Sequence, residues 1–88
     1  MVKRGEIQKR SVMLSGHATS ISIETEFWDI LKDIAAHKGV SINYLLSEID
    51  VGRTTNLSSA ARVYVLKYLI SKEQKFDNLI INVKNYMI

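Results

Sequence analysis

The chain has 88 residues, 12 of them Lys or Arg and 9 Asp or Glu, with no Cys and no Pro. That length makes one small domain, and a lone core of this size is only marginally stable, so a disulfide, a metal or a partner subunit is needed. The absence of Cys excludes disulfides and thiolate-bound zinc, and His17 and His37 are too few for a metal site, which leaves oligomerisation.

A hydrophobic content of 47% excludes a disordered tail. No apolar run approaches the roughly 20 residues that span a bilayer. The basic N-terminus is not followed by the apolar segment of a secretion signal. With no Cys, the expected location is the cytoplasm.

Charge is unevenly spread. Residues 1–20 carry Lys3, Arg4, Lys9 and Arg10 against Glu6, whereas residues 21–50 carry Lys32 and Lys38 against six acids. The tail, residues 51–88, is basic again. A basic arm beside an acidic middle points to an anionic partner for the arm, with the acidic part turned away from it.

In chain order, residues 1–10 read as a basic flexible arm. Residues 11–23 contain two short alternating runs. Val12 and Leu14 share one face, opposite Ser11, Met13 and Ser15; Thr19, Ile21 and Ile23 alternate with Ala18, Ser20 and Ser22. Period-two alternation rich in β-branched residues predicts a half-buried strand, with Gly16-His17 as a bend or bulge between the runs.

From residue 25 the period becomes helical. Phe27, Ile30, Leu31, Ile34 and Ala35 form one apolar stripe with Trp28 at its edge. Acidic residues crowd the start, and Gly39 is placed to end the helix in the left-handed conformation. A second helix restarts at once, with Ser41 as N-cap, a Val40–Leu45 staple and a stripe of Ile42, Leu45, Leu46 and Ile49. The short join makes a sharp corner.

Gly52–Asn56 is the next break, and Asn56 caps a third helix from Leu57 to about Ile70 that is apolar nearly all round. Such a helix is either deeply buried or at a subunit interface. Arg53, between the two helices, is placed to hold terminal carbonyls or to meet an anion. Trp28 is expected in the core or a dimer interface, and Tyr64 and Tyr68 in packing. Phe76, Leu79, Ile80, Val83 and Met87 predict a short C-terminal helix. The chain thus divides into the arm at 1–10, a folded domain at 11–70 and a C-terminal extension at 71–88.

An amphipathic strand needs a partner strand for its backbone groups. The second run is followed by no other strong strand, so the simplest expectation is the same strand from a second subunit, paired antiparallel about a two-fold axis. Ser20 and Ser22 of both copies then line a polar ribbon, and a two-stranded ribbon fits the major groove of DNA.

The segment Thr19-Ser-Ile-Ser-Ile-Glu-Thr-Glu-Phe-Trp-Asp-Ile-Leu-Lys-Asp-Ile-Ala-Ala-His-Lys-Gly-Val-Ser-Ile-Asn-Tyr-Leu-Leu46 resembles the ribbon-helix-helix (MetJ/Arc/CopG-type) DNA-binding family. With Lys9-Arg-Ser-Val-Met-Leu-Ser-Gly-His-Ala-Thr-Ser and Gly52-Arg-Thr-Thr-Asn-Leu-Ser-Ser-Ala-Ala61, it is similar to small stand-alone bacterial proteins of that kind, over about residues 9–70. The resemblance implies a mainly α fold with one or two short N-terminal strands. It also implies an intertwined homodimer with an intersubunit β-ribbon, here extended by a further C-terminal helix.

By position, the resemblance places Ser20 and Ser22 toward the bases, with Ala18 or His17 beside them. It sets the start of the second helix, Val40, Ser41 and Ile42, against phosphate, where free N–H groups and the helix dipole favour an anion. Lys3, Arg4, Lys9 and Arg10 are the candidate backbone contacts. Serine is short and discriminates bases weakly, so specificity on this ribbon is low or comes from the arm or DNA shape.

The implied function is double-stranded DNA binding by a homodimeric transcriptional regulator or repressor, compatible with a higher oligomer on DNA. Two alternatives stand beside it. One is the antitoxin of a toxin–antitoxin pair, with residues 71–88 holding the protein partner. The other is a dimerisation or interaction module that does not bind DNA. With no phosphate loop and no ordered catalytic set, neither enzymatic activity nor a cofactor or metal is expected, and no membrane contact.

Overall fold

The computed structural model describes residues 5–72. Lys3 and Arg4 lie outside the described residues, as does the C-terminal helix predicted over residues 75–88. The order is β1 (Ile7–Leu14), β2 (His17–Glu24), α1 (Thr25–Lys38), α2 (Ile42–Gly52) and α3 (Leu57–Lys72).

β1 and β2 form one antiparallel hairpin within the chain, in the register Ile7–Glu24, Lys9–Ser22, Ser11–Ser20, Met13–Ala18 and Leu14–His17. The strand Thr19–Ile23 has a partner within its own chain, in the first alternating run, so one of its edges is satisfied without a second subunit. The basic arm is also shorter than expected, because β1 starts at Ile7 and takes in Lys9 and Arg10.

The connection is a two-residue turn at Ser15-Gly16 rather than a bulge at Gly16-His17. Ser15 has φ 50° and Gly16 φ 85°, the pair of positive values that a type I′ turn needs to match the strand twist. Gly16 takes this conformation without penalty, and Ser15 is the described non-glycine residue that shares it.

The helices follow their sequence signals closely. Gly39, at φ 72°, ends α1 in the left-handed conformation; its N–H donates to the Ala36 carbonyl, and that of Val40 to the Ala35 carbonyl at 2.9 Å. Ser41 Oγ accepts the Tyr44 N–H at 3.0 Å to cap α2, and Asn56 Oδ1 accepts the Ser59 N–H at 2.8 Å to cap α3. Arg53 holds the intervening corner. Its Nε donates to Asp50 Oδ1 at 2.6 Å and its Nη1 to the Thr55 carbonyl at 2.8 Å, so its donors serve the chain break itself.

The core lies beneath the hairpin. Val12, Leu14, Ile21 and Ile23 from the strands meet Trp28, Leu31, Ile34 and Ala35 of α1, Leu45, Leu46 and Ile49 of α2, and Ala61 and Val65 of α3. Fully burying a side chain of this size is worth about 1.5–3 kcal/mol relative to leaving it exposed.

α3 is less enclosed than its composition suggests. Ala61 and Val65 are buried, but Val63, Leu66 and Leu69 each keep 46% of their surface. Its other side carries Tyr64 and Tyr68, whose rings stack at 6.3 Å between centroids. Lys38 Nζ donates to the Tyr64 hydroxyl at 3.1 Å, and that bond raises the ammonium above the ordinary lysine value. Among the described residues no helix is long and apolar enough to cross a membrane.

Candidate nucleic-acid interface

The hairpin register sorts every strand residue onto one of two faces. Opposed residues in an antiparallel pair point the same way. Lys9 and Ser22, Ser11 and Ser20, and Met13 and Ala18 therefore share the outer face, and all six are exposed. Ile7, 59% exposed, extends that face at one end. The two serines expected to face outward do so, and the structure adds Ser11 and Lys9 directly across from them. Ser11 was present in the alternation but had no assigned role, because its strand partner was not recognisable from one strand alone.

Arg10 goes the other way. It is half-buried on the inner face, its guanidinium 4.9 Å from the centroid of Trp28, and its Nη2 donates to Gln8 Oε1 at 3.2 Å. Its Nε is buried with no hydrogen-bond partner among the described residues, a cost that the cation–π contact partly offsets. Lys9 and Arg10 are consequently not one basic patch. His17 opens β2 at the hairpin end, exposed, on the inner-face register opposite Leu14.

Ser41 is brought near the strands by a second set of bonds. Asn43, in the first turn of α2, accepts the Met13 N–H on its Oδ1 at 3.1 Å, and Ser47 Oγ, one turn on, accepts the Ser15 N–H at 3.1 Å. These two bonds run α2 along the free edge of β1 with its N-terminus beside the sheet. A shallow groove lined by Ser11, Met13, Ala18, Thr19 and Asn43 lies there. Ser41 Oγ itself is occupied by its capping bond, so an anion at this end would meet backbone N–H groups rather than that hydroxyl.

On the β2 side, Ser58 Oγ of α3 donates to the Ser22 carbonyl at 2.6 Å. One turn further, Arg62 Nε donates to Glu24 Oε1 at 2.9 Å. The Arg62 hydrogen bond, and then one from the backbone, holds the Glu24 carboxyl below its ordinary value. A carboxylate at the end of the outer-face register is thereby neutralised by its own chain. Among the described residues, no group of His, Asp and Glu is arranged to hold a metal ion.

A hairpin laid on two helices joined by a Gly-x-Ser corner, with a third helix closing the core, defines the class. The family model described as the ribbon-helix-helix domain matches residues 7–69, and the chain belongs to that family, whose members are generally DNA-binding regulators. Among solved structures, the chain is similar to that of an uncharacterized protein from Bordetella pertussis Tohama I. The two are 35% identical with a TM-score of 0.63, over 74% of this chain and 57% of that one. This chain thus spans little more than half of that neighbour's length. No curated protein matches.

Proposed function

We propose that the protein binds double-stranded DNA as a homodimeric transcriptional regulator, with the outer face of the hairpin toward the duplex. The observation that carries this reading is the grouping of Lys9, Ser11, Ser20 and Ser22 on one exposed face, with the start of α2 at its side. Lys9 and the free N–H groups of α2 supply phosphate contacts, which give affinity and registration. The hydroxyls can donate or accept toward several bases, so they tolerate many sequences. Lys3 and Arg4 precede this face in the chain and add charge to the same contact.

The test is a titration of labelled duplex against the folded protein at rising salt. Binding should weaken steeply with salt, with a log-log slope of about −0.9 for each phosphate neutralised. No duplex affinity at low salt, in a sample shown to be folded and dimeric, defeats the reading.

A second reading, a protein-interaction module, draws on the same face. Ile7 and Met13 are 59% and 47% exposed there, and Arg10 is withdrawn from it. Replacing Lys9 by Ala separates the two: a lowered duplex affinity supports DNA binding, and an unchanged one supports the module.

A further inference from the structure

α1 and α3 leave a furrow open between them. Phe27 and Ile30 of α1 and Val63, Leu66 and Leu69 of α3 line an apolar hollow with Arg62 at its edge. Ile30 and Leu69 also line the next hollow, which continues past Ile34 to His37 and Lys72. The two hollows therefore make one furrow that runs from the middle of α3 to its end. The α3 wall, from Arg62 to Lys72, rises about 15 Å, and the α1 wall, from Phe27 to His37, rises as much. Val63, Leu66 and Leu69 each keep 46% of their surface. Their spacing of three makes a stripe along the helix, and an apolar stripe marks a face that packs against something.

The chain supplies a segment that fits. α3 ends at Lys72, at one mouth of the furrow. Residues 73–88 follow it and lie outside the described residues. Their sequence puts Phe76, Leu79, Ile80, Val83 and Met87 at helical spacing on one face and Asn78, Asn82 and Asn85 on the other. From Phe76 to Met87 a helix rises about 17 Å, which matches the furrow to within one turn. Residues 73–75 have the length of a connection between antiparallel helices. No charged residue falls on the apolar face of the segment, as an apolar furrow requires.

We propose that residues 76–87 of the same chain fold back as a helix antiparallel to α3 and fill this furrow. Equal rise along the two helices fixes the register, with Ile80 against Leu69, Val83 against Leu66 and Met87 toward the Phe27 end. The domain is then closed by a fourth helix, and α3 is covered on the face that its apolar composition leaves in need of a cover. The segment is a packed part of the domain and not a free arm, so a protein partner that takes residues 71–88 must first displace it.

The chain has no cysteine, so engineered pairs report the packing without background. Across helices packed 8–10 Å apart, facing Cα atoms approach to about 5 Å, inside the range that a disulfide bridges. Leu66→Cys with Val83→Cys, oxidised gently in dilute solution, should give a monomer with an internal disulfide, read as faster migration on a non-reducing denaturing gel. Leu66→Cys with Asn85→Cys, whose second cysteine lies on the far side of the segment, should couple at least tenfold more slowly. Equal rates for the two pairs overturn the proposal. A covalent dimer as the main product of the first pair assigns the furrow to a second copy and also overturns it.

Ile80→Asp gives a second measurement. It should uncover the furrow and raise the fluorescence of the apolar dye 1-anilinonaphthalene-8-sulfonate several-fold, with the helical circular dichroism of the domain largely kept. An unchanged dye signal in the folded variant overturns the proposal. If that variant does not fold, the cysteine pairs decide. No readout contains DNA. An internally coupled protein that ignores duplex therefore refutes DNA binding alone, and a duplex-binding protein that does not couple refutes the packed segment alone.

Discussion

Lys9 and Arg10 are neighbours in the chain and do opposite work in the fold. Lys9 stands on the outer face across from Ser22, whereas Arg10 lies over Trp28 with one donor turned to Gln8. The same division runs along the whole hairpin, with Val12, Leu14, Ile21 and Ile23 in the core and Ser11, Ser20 and Ser22 in solvent. In a strand a step of one residue reverses the face, so a run of basic residues is a patch only when it is in a helix or loop, or when alternate positions carry the charge.

The inner face should be the more sensitive to change. Ile23→Ala, at a position with no exposed surface, should cost about 2–5 kcal/mol, read as a fall in the denaturant midpoint with unchanged slope. In a domain this small, that is a large part of the roughly 5–15 kcal/mol by which folded proteins are stable.

Arg10→Ala and Lys9→Ala test the contrast directly. Arg10→Ala removes the stem packing and the contact with Trp28, and should lower stability by about 1–2 kcal/mol while leaving the salt slope of duplex binding as it was. Lys9→Ala should leave stability within about 0.5 kcal/mol and flatten the salt slope by about 1.8 for two phosphates per dimer. The reverse result would mean that the hairpin register in solution differs by one residue.

Ser41→Ala should cost about 1 kcal/mol through loss of the α2 cap, measured by thermal unfolding. Because Ser41 Oγ already accepts the Tyr44 N–H, its effect on duplex affinity should be smaller than that of Lys9→Ala.

The smallest expected effect is the pH dependence from Glu24. Its bond to Arg62 favours the ionised carboxylate, so the folded state takes up a proton less readily than the unfolded chain. The contribution is complete above the ordinary carboxylate value and is lost as pH falls through the lower, folded one. Glu24→Gln should flatten that acid limb in a series of denaturation curves, because the variant lacks the contribution at neutral pH as well as in acid.

Helix positions and their ends were legible in the chain. Gly39, Ser41 and Asn56 act where their residue types predict, because capping is settled by a few adjacent residues. The outward serines were legible for the same reason, since alternation is local. α3 was read less fully. Its composition allowed burial or an interface, and the fold leaves Val63, Leu66 and Leu69 half open.

What the sequence by itself determined, then, was the order of elements, the caps, the two apolar helical stripes and the face of each residue within β2. The tertiary structure decided which strand of the chain β2 pairs with, that Ser11 and Lys9 stand opposite Ser20 and Ser22, that Arg10 lies over Trp28, and which strand backbone groups the helices bind. The physical reason is that caps and periodicity depend on neighbours in the chain. Pairing and edge coverage depend instead on groups far apart in it, as when Asn43 meets Met13 across 30 residues and Ser58 meets Ser22 across 36.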